Sequence, residues 1–590
     1  MAKTKQKIRA TKVIDENRYV ILIMLAAFLV LVFVLSSYKI EDDDFFWHLS
    51  TGKYIVENKV IPDKDVFSYP TENQEWIPFE WGWDLIIYSI YSINNVNAVS
   101  IFSSVIFCVI FFIYFRLLNR FKVNSIISIL LLFFLVIAIF NRLSARPHLF
   151  TYLFFIILLY FLVSLKYLER EKYFKKLFFL PVIFLIWGNI HLGVIAGGLL
   201  LFTFVINEII IFYYPAKFSN KQIIPFEKKH LKRIIMVSFL CLFILLINPH
   251  GLETYFYAYS HIKMKMLESI AEWQNPFTGQ VEGGIVIILY KLFLFLGLII
   301  LFYAYKRKDT FFALIYIVFA IYSVRAIRFN IDYEIIILFF IAVSTNEFII
   351  SLRKKSIMQF IQSNYPKIVI ILFFIYVISQ TFSDNIYLTL KYNRHFGFGI
   401  NDSFIPYKMI DFMKENNIHG RTFNNYESGG YYLWNFTGVK NFIDSRNIND
   451  EVFSEYMSIS LMKTGFDNKL EKYGVDNIQY FEPKLVKYPQ NMRNHLPAYL
   501  TLNSKWKLIY WDDKSMLFIK DTPENAELIN KYEYKILIPY KAVFFQKDFE
   551  NAVINFPERT KMEMNRKEAE EHDGFYYSGM NEIITKVLKK

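Results

Sequence analysis

Three consecutive carboxylates, Asp42, Asp43 and Asp44, follow directly on a long apolar run, and Phe45, Phe46, Trp47 and His48 come next. Carboxylates where a membrane span emerges are costly unless they meet water, a cation or a reacting group. As an interfacial cap they do no chemistry. As a site they deprotonate a hydroxyl, or Asp42 and Asp44 bind a divalent metal such as Mg or Mn. A second set of residues carries the opposite charge: Arg146 and His148 in NRLSARPHLF, His191 in NIHLG, His250 in INPHG, then Arg325 and Arg328. Arginine forks and histidines at the ends of apolar runs suit a phosphate. Glu272, in SIAEWQNPF, adds a carboxylate to them. Each has a plainer reading. Arg146 precedes Pro147 at the start of an apolar run, where an interfacial arginine is ordinary. His191 and His250 stand beside glycines and could cap helices, and Arg325 and Arg328 could be interfacial anchors. Their gathering on one face of the predicted topology is what points to a site.

The elements that position these residues are membrane spans. Of 590 residues, 54% are hydrophobic, more than a soluble chain of this length buries. About eleven runs approach the length a bilayer demands: 19–38, 98–117, 124–141, 148–165, 177–191, 194–213, 233–248, 284–304, 310–325, 331–350 and 367–384. The first follows a basic tail (Lys3, Lys5, Lys7, Arg9, Lys12) and reads as an uncleaved span. With the N-terminus cytoplasmic, the inside segments are all rich in Lys and Arg: 120–122, 165–176, Lys217 to Arg233, 306–308 and 353–355. The net charge of +13 is therefore topological, and nucleic acid is excluded as its partner. The two cysteines, Cys108 and Cys241, lie in apolar runs and offer neither a disulfide framework nor a metal site.

Residues 1–384 thus read as a polytopic α-helical membrane domain with a large first outer loop, 40–97. Within that loop WDLIIYSIYSI is apolar but too short to span, and suits a helix lying in the interface. From 385 to 590 charges recur every few residues and no run could span, so this part reads as an extracytoplasmic soluble α/β domain. YKMIDFMKENN is helix-like, KNFID and WKLIYWDDKSMLFIK are strand-like, and the last 45 residues read as charged helix. Gly429 and Gly430 followed by YYLW read as a turn entering an aromatic-rich helix, or as a platform for a ligand.

The order of these parts resembles the GT-C superfamily of polyprenyl-phosphate-dependent glycosyltransferases. DDDFFWHLSTGKYIVEN resembles the first-loop Asp-aromatic motif of the catalytic subunit of oligosaccharyltransferase, with Asp44 at the motif's Asp and Asp42 at the preceding acidic position. SIAE, ending at Glu272, resembles that family's outer-loop motif, and FNNYESGGYYLW (423–434) with FIDSR (442–446) stands where it carries WWDYG. The likeness extends to bacterial GT-C-like membrane proteins through Trp47 and His48; Asp65, Phe67 and Ser68; Glu80 and Trp81; Arg146 and Pro147; Asn189 and His191; Asn248, Pro249 and Gly251; Glu272 and Trp273. In the soluble part it runs through Asn424, Tyr426, Gly429, Gly430, Tyr431, Trp434, Phe442, Asp444 and Arg446. WWDYG itself is absent, with Tyr426 and Glu427 in its place, and NRLSARPH carries no carboxylate where a second acidic motif would stand.

The resemblance implies a GT-C glycosyltransferase of the bacterial inner membrane. It would move a sugar from a polyprenyl-phosphate-linked donor to a protein, lipid or polysaccharide acceptor at the outer face. Asp44 would be the general base, and Asp42 its partner or a metal ligand. Arg146, His148, His191, His250, Arg325 and Arg328 would hold the donor phosphate, and Glu272 would orient the acceptor. Tyr426, Glu427, Gly429, Gly430, Asp444 and Arg446 would contact the acceptor. No cofactor is required beyond the possible divalent metal. The alternative is a catalytically inactive GT-C-like scaffold, or a transporter, in envelope polysaccharide assembly. The absence of a clear repeat and the clustering of polar residues at one face argue against transport.

Overall fold

The computed structural model describes residues 18–218, 224–278, 284–352, 354–571 and 573–589. The basic tail with Lys3, Lys5, Lys7, Arg9 and Lys12 lies outside them, as do 219–223 of the Lys217–Arg233 stretch and Arg353 of the last basic loop. The chain divides into two compact units. One runs to Ile40 and resumes as Phe79–Ser260 and Leu267–Ile400; the other joins Glu41–Pro78, His261–Met266 and Asn401–Lys590. The first outer segment is thus split, with residues 41–78 belonging to the same unit as the C-terminal region.

In the first unit every apolar run is helical. Among the described residues seven helices are long and apolar enough to cross a membrane: Arg18–Ser36, Trp81–Arg120, His148–Tyr167, Val194–Tyr213, Ile285–Tyr305, Ile327–Ser351 and Tyr365–Phe382. Ser125–Ala138, Phe179–Ile190 and Thr310–Ser323 are shorter apolar helices. The run at 233–248 is the helix Lys228–Phe243 closed by a 3-10 turn, Ile244–Leu246. The three short helices stop where the polar residues begin. Ser125–Ala138 gives way to the 3-10 turn Phe140–Arg142. Phe179–Ile190 ends at His191, whose backbone is extended. Thr310–Ser323 is followed by the turn Ile327–Phe329, which carries Arg328. The helix Trp81–Arg120 breaks at Asn94 and Asn95, the latter at φ 49°. Positive φ is uncommon outside glycine, and Asn is among the residues that adopt it most often. The break separates WDLIIYSIYSI from the run at 98–117.

Aromatic packing and buried hydrogen bonds join the helices, as expected where lipid supplies no hydrophobic drive between them. Phe28 meets Phe111 and Phe374 at ring separations of 5.8 Å each. Lys166 pairs with Glu208 at 2.5 Å inside the unit, and Asn207 adds a bond of 2.8 Å. Arg394 lies 4.0 Å over the Tyr38 ring and donates to the Phe140 carbonyl at 2.8 Å. It thereby anchors the turn that presents Arg142.

The second unit is built on a four-stranded sheet: β1 (Thr422–Phe423), β2 (Asn477–Phe481), β3 (Trp506–Trp511) and β4 (Ser515–Lys520), in the order β1-β2-β4-β3. β1 and β2 are parallel and the other pairs antiparallel. WKLIYWDDKSMLFIK forms β3 and β4, which pair as a hairpin. Asp512 turns it by accepting from the Lys514 and Ser515 amides at 2.8 and 2.7 Å. Every residue of β2 is buried, as befits a strand covered on both faces. YKMIDFMKENN supplies the helix Tyr407–Glu415, and the charged C-terminal stretch forms Gln546–Asn555, Pro557–Glu571 and Phe575–Leu588. KNFID is no sheet strand. Its Asn441 makes an isolated parallel bridge to Ser68, because the segment carries buried polar residues that receive the loop at 65–69 instead of a strand partner.

Candidate functional site

The polar residues fall into two clusters, one in each unit. In the first unit the turn Phe140–Arg142 presents Arg142, nine-tenths buried, to Glu272 across 2.7 Å. Arg328 stands 3.9 Å from the other Glu272 oxygen and 4.3 Å over the Trp273 ring. The turn Ala271–Trp273 thus offers a carboxylate and an aromatic face to two arginines. Burial raises the Glu272 carboxyl, but Arg142, Arg328 and Arg146 outweigh it and hold the group well below the usual range. The sequence assigned Glu272 to an acceptor; its bonded partners here are arginines. Asp332, one helical turn after Arg328, accepts from the Tyr322 hydroxyl at 3.2 Å.

His148 is buried, and its Nε2 lies 2.9 Å from the Arg142 carbonyl, so it braces the arginine turn from within. His191 is more open. Its Nδ1 accepts from the Gly193 amide at 3.0 Å and lies 2.7 Å from the Thr151 hydroxyl, which in turn accepts from the Trp187 indole at 2.9 Å. With Nδ1 accepting, the ring proton sits on Nε2, 3.4 Å from Glu80. The NPHG turn is held by Asn248, which accepts from the His250 amide at 3.0 Å and the Thr254 hydroxyl at 2.7 Å. This start to the helix Glu253–His261 accounts locally for His250. Arg325 is exposed.

In the second unit the acidic run opens the helix Asp44–Asn58, where negative charge complements the helix N-terminus. Asp42 accepts from the Asp44 amide at 3.2 Å. Asp44 accepts from the Trp47 indole at 3.2 Å and from the Ser445 hydroxyl. Asp43 accepts from the amides of Gly430 and Tyr431, both at 3.0 Å, at the start of the helix Gly429–Asn435. Burial pushes Asp43 well above the ordinary carboxylate value; the two amides oppose this and the charges of Asp44 and Asp444 reinforce it. The glycine doublet exists for this approach. A Cβ on Gly430 would stand 2.6 Å from the Asp43 carbonyl, and one on Gly429 only 2.1 Å from the Ile443 carbonyl.

Asp444 and Arg446 are buried beside this helix. Arg446 donates to Asp444 from Nε and Nη2 at 2.8 and 2.7 Å, to Asp65 from Nη1 at 2.8 Å and to Ser68 from Nη2 at 2.8 Å. Its guanidinium lies 4.6 Å over Trp76. Asn441 bridges Ser68 and Asp444 at 2.6 and 2.8 Å. Four of the five N–H donors of Arg446 and both oxygens of Asp444 are thus engaged inside the unit, and both residues are buried, which makes this pair a clamp on the loop 65–69 and leaves no surface for an acceptor there. Tyr426 donates to Asn447 at 2.5 Å, and Glu427 is exposed.

Sequence reasoning passed over Arg142, Ser445, Asp332 and the partnership of Glu80 with His191. Arg142 had one signal, a second arginine four residues before Arg146 in the same polar loop. Ca2+ takes six to eight oxygens, many of them from protein, whereas Mg2+ keeps several waters and is bound through one or two carboxylates plus substrate phosphate. Among the described residues no three His, Cys, Asp or Glu side chains converge on a metal position. Asp42 and Asp44 supply two carboxylates, and each accepts a hydrogen bond within the unit. Two carboxylates are too few for an all-protein cage but match the number through which Mg2+ is commonly held beside a substrate phosphate; Asp42 and Asp44 would hold it, and no step in the proposed reaction passes through it.

No protein-family model matches the sequence, and no curated protein matches it. Solved structures do resemble the fold. The apo oligosaccharyltransferase of Archaeoglobus fulgidus aligns with a TM-score of 0.53 at 10% identity, covering 86% of this chain and 75% of that one. The archaeal oligosaccharyltransferase AglB of the same organism, in complex with an inhibitory peptide and a dolichol-phosphate, gives 0.52 at 11% identity over 86% and 75%. The form tethered to an acceptor peptide containing the NVT sequon gives 0.51 at 11%, over 86% and 74%. The chain therefore shares its fold with these solved structures across most of its length.

Proposed function

We propose that the protein is an integral membrane glycosyltransferase that moves a sugar or glycan from a polyprenyl-phosphate-type donor to an acceptor, at the outer face of a bacterial inner membrane. The observation that carries this reading is the shared fold with an oligosaccharyltransferase over 86% of the chain. The two clusters supply chemistry that such a reaction needs. An acceptor hydroxyl or amide attacks the anomeric carbon, the bond from that carbon to the phosphate oxygen breaks, and the polyprenyl phosphate leaves with the bonding electrons. The acceptor proton passes to a base. Asp44 is the base in this proposal, with Asp42 beside it. Arg142 and Arg328, with Arg146 and His191, meet the charge on the departing phosphate, and Glu272 keeps the two nearer guanidiniums in position. That AglB has been captured with dolichol-phosphate and with peptides favours a lipid-linked donor and a protein acceptor. The replacement of WWDYG by residues around Tyr426 and Glu427 favours an acceptor other than that family's asparagine sequon.

The test is transfer of radiolabelled sugar from lipid phosphate by the purified protein. Wild type is expected to form product, and Asp44→Asn to bind donor while forming none. Donor binding without turnover by wild type would favour the inactive scaffold, and normal activity in Asp44→Asn would remove that residue from the role of base.

A further inference from the structure

The helix Asn330–Ser351 carries a polar pair that neither cluster uses. Glu334 is 0% exposed and Asn330 2%. Both carboxyl oxygens of Glu334 and both amide atoms of Asn330 are without a hydrogen-bond partner among the described residues. The two residues are four apart, so they share one helix face with their side chains in reach of each other. Four unpaired polar atoms in one turn of a membrane helix are a heavy penalty, and an ionised carboxylate there without a counter-charge is heavier still.

The donor and acceptor inventory says what relieves it. Asn330 brings two N–H donors and one acceptor oxygen, and Glu334 brings acceptors plus one O–H donor when protonated. A bare metal cation satisfies the oxygens and leaves the amide N–H groups orphaned. Water both donates and accepts, and it is the usual occupant of a buried polar site. We propose that Asn330 and Glu334 form a buried proton-and-water site in the membrane unit, where Glu334 is held as the neutral acid and ordered water bridges it to the Asn330 amide. The site lies on the same helix as Asp332 and begins two residues beyond Arg328, so a proton gained or lost at Glu334 changes the charge carried along that segment. It is independent of the glycosyltransferase reading and stands or falls without it.

The test uses the full chain in detergent. Infrared difference spectra between wild type and Glu334→Gln are expected to show loss of a protonated carboxylic-acid band at neutral pH, a band whose position shifts in Asn330→Ala. Absence of that band from wild type overturns the proposal. Thermal midpoints supply a second readout. Asn330→Leu and Glu334→Leu each strand the partner's water and lower the midpoint, and the double variant is expected to recover much of the combined loss. Strictly additive losses would mean that the residues share no water. Finally, sodium chloride and choline chloride at equal concentration are expected to give the same midpoint. A sodium-specific rise that disappears in Glu334→Gln would replace the water by a metal ion and refute the assignment.

Discussion

Arg446→Met is the substitution that most directly tests the clamp in the second unit. Arg446, Asp65 and Asp444 have side chains no more than 1% exposed. Removing the guanidinium leaves two buried carboxylates facing each other without a cation, at about 3–5 kcal/mol for a broken buried ion pair. For a unit of this size that corresponds to a midpoint lowered by about 6–20 °C, read by differential scanning fluorimetry of the full chain in detergent. Arg446→Lys retains the charge but not the fork that reaches Asp65, Asp444 and Ser68 together, so it should fall between wild type and Met. Combining Arg446→Met with Asp65→Asn and Asp444→Asn removes the uncompensated charge and should restore part of the loss. The clamp also sets a pH dependence. Burial raises Asp444, but Arg446 outweighs it and its folded value lies below the ordinary one. Its contribution is therefore complete above the unfolded value of about 3.9 and is lost as pH falls through the depressed folded value. A midpoint that moves by less than about 2 °C in Arg446→Met, roughly the effect of a surface change, would refute the clamp.

Two further predictions follow from geometry already described. Glu272→Gln removes the charge that pairs Arg142 and Arg328; allowing for its partial exposure, the loss is about 1–2 kcal/mol at neutral pH, read as a lowered thermal midpoint. Because the Glu272 carboxyl lies below its usual range, the difference between wild type and variant should persist at neutral pH and vanish only as pH falls through that depressed value. Gly429→Ala and Gly430→Ala place a methyl against the Ile443 and Asp43 carbonyls and should each cost about 1–3 kcal/mol, the first the more, while Gly284→Ala, with open space around its Cβ, should leave the midpoint unchanged.

How much of this was legible in the sequence depends on whether the physics was local. Apolar runs of bilayer length report themselves, since each helix satisfies its own backbone wherever it stands. That is why every run proved helical. Their ends were less legible. Ser125–Ala138, Phe179–Ile190 and Thr310–Ser323 stop short because Arg142, His191 and Arg328 need turns or extended backbone there, and hydropathy does not register that need. The glycine doublet announced a close approach, but the groups it approaches are Ile443, in the next segment, and Asp43, which lies 387 positions from Gly430 in sequence.

Charged residues show the limit most clearly. Asp444 and Arg446, two apart, looked like a pair displayed to a ligand. Their environment is decided by Asp65, which lies 381 positions from Arg446. Nothing in residue type distinguishes a guanidinium waiting for a phosphate from one already saturated. The distinction lies in counting donors against acceptors. By that count Arg446 has four of its five donors bonded to protein groups. Arg328 has one carboxylate at 3.9 Å and a ring beneath it, which is the less saturated environment that the proposed phosphate role requires. The same count, carried into the membrane helices, separates Lys166 and Glu208, whose charges pair at 2.5 Å while one Glu208 oxygen stays unbonded, from Asn330 and Glu334, none of whose side-chain polar atoms is bonded among the described residues. Unsatisfied capacity is therefore a better guide to where this protein binds something than charge or position along the chain.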